Sequence, residues 1–294
     1  MLRMNSRRRE ALAALFFITP WIIGFLAFQA GPILASLYFS LTNYSIMGSY
    51  RFVGLRNFAI AFTQDRLFWK SLYNTLFYVG FWTSGCLTLG FVVAILLNRK
   101  MRAVGVYRTI YYLPMIVPWV GACIVWIWIF QPEYGLLNVF LRFLHLPQPL
   151  WLLSEEAAKP ALVVMNWWAF GGMMIIFLAG LQGIPSSLYD AAKIDGAGPF
   201  ACFWNITVPM MTPYIFFNLI IAIIRSFQVF VCAVIMTQGG PLNSTYFYML
   251  HVYNNAFRYL RMGYASALSW LLLLIVLALT IVFLRSSRWW VHYK

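Results

Sequence analysis

Six long stretches of this chain carry no charged side chain, apart from one arginine. They run from Ala11 to Tyr50, Ser71 to Asn98, Thr109 to Pro132, Pro160 to Tyr189, Gly196 to Phe257 with Arg225 as its single interruption, and Met262 to Leu284. Each exceeds the ~20 apolar residues that a spanning helix needs. Backbone groups in hydrocarbon must pair within their own segment, and none of these stretches shows the period-two alternation of a barrel strand, so helix is the remaining option. The composition agrees: 63% of residues are hydrophobic and 10% charged, too few polar groups to cover a water-soluble domain. The expected fold class is therefore all-α, a polytopic membrane protein with six transmembrane helices. They are expected near 12–37, 72–97, 110–131, 161–182, 210–236 and 266–285.

Lysine and arginine bias sets the expected orientation. With the N-terminus inside, the inner side holds Arg3, Arg7, Arg8, Arg9, Arg99, Lys100, Arg102, Arg108, Lys193, Arg285, Arg288 and Lys294, twelve in all. The outer side holds Arg51, Arg56, Arg66, Lys70, Arg142, Lys159, Arg258 and Arg261, eight in all. Both termini are thus predicted cytoplasmic. The formal charge of +14 then reads as an orientation signal and a contact with anionic lipid heads of the bilayer. A nucleic-acid partner is not expected, because that needs a basic face on a soluble domain. The first stretch begins like a secretory signal, but its apolar run is too long and lacks a small-residue cleavage site, so it reads as a retained span.

Several chemistries find no footing. There is no Gly-x-x-x-x-Gly-Lys-Ser/Thr phosphate loop, so no catalytic residue is expected and any ATP is handled by another chain. His145, His251 and His292 are scattered, and Cys86, Cys123, Cys202 and Cys232 form no Cys-x-x-Cys pair, so neither a metal site nor a disulfide is implied. The seven acids, Glu10, Asp65, Glu133, Glu155, Glu156, Asp190 and Asp195, all fall outside the expected spans. An ion-coupled carrier usually keeps its coupling acid in mid-membrane, which counts against secondary transport. A channel or carrier and a non-transporting assembly protein nevertheless stay open as readings of the six spans.

The most informative segment is the loop 186–208. Ser187 and Asp190 have capping-box spacing for a helix starting after Pro185. Gly196 can take the left-handed conformation that ends it, and Pro199 suits the first turn of a second short helix. Phe200, Phe203, Trp204 and Ile206 then form an apolar stripe expected to pack under the spans, while Ala191 and Ala192 beside Asp190 leave a small face able to lie in a groove of another protein. A merely connecting amphipathic loop fits the same residues.

This segment resembles the loop signature of ABC-importer permeases: Glu-Ala-Ala, three residues, Gly, nine residues, then Ile-x-Leu-Pro. Here Asp190 stands for Glu, Ala191, Ala192, Gly196, Ile206 and Pro209 match, and Val208 stands for Leu. Phe52-Val-Gly-Leu-Arg-Asn-Phe58, Leu113-Pro-x-x-x-Pro118, Thr237-Gln-Gly-Gly-Pro241 and Gly263-Tyr-Ala-Ser-Ala267 extend the resemblance over nearly the whole chain, toward the carbohydrate-uptake branch with its maltose, lactose and glycerol-phosphate permeases.

The resemblance implies the type I ABC importer permease fold in a bacterial plasma membrane. The division it suggests is 1–70 for the tail, first helix and outer loop, 71–285 for the transporter domain, and 286–294 for a cytoplasmic tail. It implies as partners a second homologous permease, a homodimeric or paired cytoplasmic ATPase holding ATP and Mg2+, and an extracellular solute-binding protein, with no cofactor on this chain. It also assigns ATPase coupling to Asp190, Ala191, Ala192, Asp195, Gly196, Ala197 and Phe203. For the solute path it points to Met115, Trp119, Ala169, Gly172, Ala222, Arg225, Ser226, Gln228 and Val229. Arg225 is expected near the middle of span five, where an isolated charge costs at least about 2.5–3.5 kcal/mol. Binding the solute and pairing across the subunit interface are both open to it.

Overall fold

A computed structural model describes residues 6–48, 50–99 and 101–292. Arg3, Lys100 and Lys294 lie outside these residues. So do the side chains of Arg7, Arg8 and Arg9, and with them much of the expected charge bias. The described residues are helical, with no strand among them and one isolated bridge between Thr42 and Phe52. Four helical segments are long and apolar enough to cross a membrane unbroken: Leu12–Ser40, Arg66–Leu97, Pro199–Ser226 and Met262–Trp290. Two bent pairs bring the total to six if each pair is one span.

The chain forms two compact units that do not follow chain order. One comprises residues 1–64 and 252–272, the other 65–251 and 273–294. In the first, α1 (Ser6–Phe25) runs through a π-helical turn into α2 (Gly31–Ser40). The end of α2 is tied down by Asn57 in α3 (Arg56–Thr63), whose Nδ2 donates to the carbonyls of Ser40 and Thr42 at 2.8 Å each. Gly263 N–H donates to Tyr44 O at 2.9 Å, and a Cβ there would collide with Thr42 O. The Phe52–Phe58 and Gly263–Ala267 motifs are thus closing devices for this unit.

In the second unit α4 (Arg66–Leu97) is the central post. Asp65 caps it, its Oδ1 accepting from Leu67 and Phe68 N–H at 2.9 and 3.1 Å. One end of α4 is polar and fully buried at Ser71, Asn74 and Thr75. Asn74 Nδ2 donates to Asn243 O and Tyr246 O, and Thr75 Oγ1 accepts from Tyr248 N–H at 2.9 Å. These bonds hold the loop that begins with Thr237–Pro241. Toward its other end, Ala94 and Leu97 pack with Met174, Phe177, Leu178 and Leu181 of α9 (Gly171–Gln182) and with Met211.

The third and fourth expected spans are not straight. α5 (Val104–Ile116) and α6 (Trp119–Ile129) diverge by 99°, and α8 (Glu155–Trp167) and α9 by 46°. Pro118 explains the first break. It drives Val117 out of the helical region to φ −66°, ψ 130°, so the helix must end there. α7 (Leu136–Phe143) lies between the two bent pairs in sequence.

The fifth span differs most from expectation. Its helix ends at Ser226 rather than near 236, and it begins earlier, because α11 (Pro199–Cys202) passes through a π turn at Phe203–Thr207 directly into α12 (Val208–Ser226). The apolar pattern does not change across Ser226, so composition hides the break. Beyond it Phe227 and Val229 are buried, and burial rather than helix continuity decides the path. The expected 286–294 tail is likewise largely helix: α14 (Met262–Trp290) continues to Trp290, whose ring meets Phe216 edge-on at 5.8 Å, and His292 N–H donates to Thr212 Oγ1 at 3.0 Å.

Candidate functional site

The loop 186–208 is one short helix and a lever. The short helix is α10 (Ser186–Ile194), and it has no side-chain cap; Asp190 instead faces Lys193 at 3.5 Å, an exposed pair of little energetic weight. The capping box read from Ser187 and Asp190 therefore does not form. The helix closes as a Schellman turn: Gly196 sits at φ +79°, its N–H donates to Lys193 O at 3.0 Å, and Ala197 N–H donates to Ala192 O at 2.8 Å. Pro199 opens the next helix as its shape favours.

Only part of the aromatic stripe turns inward. Phe203 is half-buried, its ring 6.3 Å from that of Phe91, whereas Phe200 and Trp204 are exposed. The π turn re-aims the stripe, which a regular 3.6 period does not foresee. Tyr189 on α10 shares a hydrogen bond with Thr207 at 2.9 Å between their hydroxyl oxygens, joining α10 to the foot of α12. Between them opens a cavity of about 740 Å³ lined by Asn98, Arg99, Tyr189, Lys193, Phe203 and Thr207, among others.

Of the residues expected to couple to an ATPase, Asp190, Ala191, Asp195 and Gly196 are exposed on α10 and its turn, and Ala192 and Ala197 are half-exposed. The residue passed over in the sequence is Ile194, 88% exposed at the tip of α10. It is one of the most exposed large apolar side chains among the described residues. Its place at i+4 from Asp190, just before the closing Gly196, was the available signal.

The path residues divide. Met115, in the last turn of α5, and Gly172, in the first turn of α9, meet: a Cβ on Gly172 would lie 2.6 Å from Met115 Sδ. Trp119 stands on the other side of the break, 40% exposed. Ala169 is half-buried between α8 and α9. Arg225 is not mid-helix but in the last turn of α12, where a cation is favoured by the helix dipole. It is exposed, and its side chain has no hydrogen-bond or ion-pair partner among the described residues; Gln228, whose N–H donates to Arg225 O at 3.0 Å, is exposed beyond it. Ala222, Ser226 and Val229 are buried, and Ser226 Oγ donates to Ile223 O at 2.9 Å, so these three present nothing to an open path within this chain.

A second polar centre was not anticipated. His251 in α13 (Tyr248–Tyr253) is 2% exposed, its Nε2 2.9 Å from Asp65 Oδ2 and its Nδ1 3.3 Å from the Tyr246 hydroxyl. Nε2–H thus donates to the carboxylate, while Nδ1 accepts from Tyr246. Burial pushes the His251 pKa down, against a smaller upward pull from Asp65. A neutral imidazole is favoured in the fold, and the unfolded chain binds the proton more readily. The stability it provides is full above the unfolded value of about 6.5 and is lost as pH falls through the lower folded value. The thermal midpoint of purified protein is expected to fall on acidification from pH 7.5 to 5.5, and His251→Gln should flatten that dependence. An unchanged slope in the variant would place the sensitivity elsewhere.

The long apolar helices are those of a membrane protein, and the exposed α10 is tied to the helix that follows it through Tyr189 and Thr207. Residues 86–291 match the family described as binding-protein-dependent transport system inner membrane component, and the chain belongs to that family. It is 41% identical, over its whole length and 96% of the relative's, to the probable ABC transporter permease protein YesP of Bacillus subtilis. It is 33% identical, over 98% of this chain and 97% of the other, to the trehalose/maltose transport system permease protein MalF of Thermococcus litoralis. Its fold is that of a chain in the crystal structure of a bacterial alginate ABC transporter in complex with alginate pentasaccharide-bound periplasmic protein, with a TM-score of 0.83, 23% identity, and coverage of 96% and 95%. These relatives are permeases, the subunits that carry the path rather than the ATPase.

Proposed function

We propose that this permease forms half of the translocation path for a sugar, oligosaccharide or related polar solute, driven by ATP hydrolysis on a separate subunit. The observation that carries the coupling is the exposed α10 with Ile194 at its tip, joined through the Gly196 turn and the Tyr189–Thr207 bond to the helix running to Arg225. A helix seated in a cleft of a paired cytoplasmic ATPase, which holds ATP and Mg2+, passes rigid-body motion to α12. A second homologous permease supplies the other half of the path, and an extracellular solute-binding protein delivers the solute. The termini and α10 face the cytoplasm of a bacterium. The name of the trehalose/maltose relative supports the solute class.

Purification in mild detergent is expected to bring out a second permease and an ATPase with this chain. Transport by the chain alone, down a gradient, would defeat the reading. At the path, Arg225 ends α12 beside Gln228 and offers a planar fork of donors to hydroxyls or an anionic group. Arg225→Leu is expected to cut uptake about tenfold, the loss of one charged hydrogen bond. ATPase stimulation by the binding protein should persist. Unchanged uptake would remove Arg225 from the path.

A further inference from the structure

We infer that Arg99, Arg102 and Arg108, where α4 gives way to α5, form a binding site for a phosphate-bearing anion. A cavity of about 540 Å³ lies at this connection, lined by Leu97, Asn98, Arg99, Met101, Arg102, Val104 and Arg108. Among the described residues, three arginines and no acid line it. No ion pair among the described residues involves any of them. General positive-inside bias asks for basic residues near this boundary but not for their burial. Arg108 departs from that pattern: its Nε is buried and has no hydrogen-bond partner. A guanidinium N–H buried without a partner is unfavourable, and an anionic oxygen is the acceptor that satisfies it.

The backbone adds to the same field. α5 starts at Val104 after Ala103, which has no side chain to cap it and sits at φ 59°. Val106 N–H already donates to Ala103 O at 2.9 Å, so of this first turn it is Val104, which lines the cavity, that brings the positive end of the helix dipole to the wall. Guanidinium forks match tetrahedral phosphate oxygens in a two-point manner, and a phosphate at this place meets both the forks and the dipole. A lipid headgroup and a free phosphate offer the same group. The site rests on the proposed function only in facing the cytoplasmic leaflet.

The test uses the assembled transporter in detergent, with retained lipid read by native mass spectrometry and the thermal midpoint read in parallel. The probes are phosphatidylglycerol, phosphatidylcholine and inorganic phosphate, and the variants are R99Q/R102Q/R108Q and, as a charge control at the end of α14, R285Q/R288Q. For a headgroup, phosphatidylglycerol is retained in preference to phosphatidylcholine, and retention falls at least about tenfold in the triple variant but not in the control. For free phosphate, inorganic phosphate raises the midpoint of the native protein and not of the triple variant. Should the triple variant fail to assemble, R108Q alone is expected to show the same loss. Equal retention and equal midpoints in native and variant protein, or an equal loss in R285Q/R288Q, overturn the site. Neither readout involves transport or topology, so this failure would leave the importer reading standing.

Discussion

Gly196→Pro is expected to abolish solute uptake while the protein still inserts and still assembles with its ATPase. Gly196 holds φ +79°, and proline is locked near −65°, so the turn cannot survive the substitution. The N–H that donates to Lys193 O is lost as well. Opening this turn costs about 3 kcal/mol, roughly a hundredfold loss of the correctly aimed α10. No side chain or backbone atom lies within 4 Å of the Gly196 Cβ position, so the effect is conformational and not a collision. Ala192→Arg, which keeps the turn but puts bulk and charge on the small face of α10, should give the same phenotype by a different route. ATP hydrolysis in reconstituted vesicles should continue with uptake at background; normal uptake in either variant would refute coupling through α10.

Gly171→Val should have the largest effect on the protein itself. A Cβ at Gly171 would run into Tyr111 O, with Tyr111 C and Tyr112 Cα both 2.9 Å away. All three are backbone atoms and cannot rotate aside, so α9 must move off α5. Overpacking of this kind costs about 1–3 kcal/mol for a single methyl that neighbours can accommodate, and more where backbone must shift. Folded protein recovered from membranes should fall severalfold, and a detergent thermal-stability scan should show a lower midpoint. Gly172→Ala is the milder comparison, because its neighbour is the flexible end of Met115. Equal stability of the Gly171 variant would show that α5 and α9 are not closely apposed.

The spans were legible because charge-free length admits few structures, and the Gly196 turn because glycine takes that backbone more readily than any other residue. The bends were half-legible. A proline such as Pro118 disfavours helix at the residue before it, but a 99° change of direction depends on what α5 and α6 pack against. The end of α12 at Ser226 left no mark in the sequence, since Phe227 and Val229 continue the apolar run and differ from their predecessors only in what buries them. Arg225 was misplaced for that reason. The failed capping box at Ser187 and Asp190 shows a local signal overruled, with Lys193 taking the carboxylate. The His251–Asp65 pair joins residues 186 positions apart, beyond the reach of any motif of fixed spacing.

The fusion of α11 with α12 has a mechanical consequence. The helix from Pro199 to Ser226 has 28 residues and is about 42 Å long at 1.5 Å per residue. α10, hydrogen-bonded at its foot, has nine residues, giving a short arm of about 13.5 Å. From the bond at Thr207 to Arg225 the long arm is about 27 Å, so the two arms make a bell crank with a ratio near two. Each degree of tilt about that bond displaces the far end by about 0.5 Å at that length, so a rotation of ten degrees shifts the Arg225 end by more than the width of a water molecule.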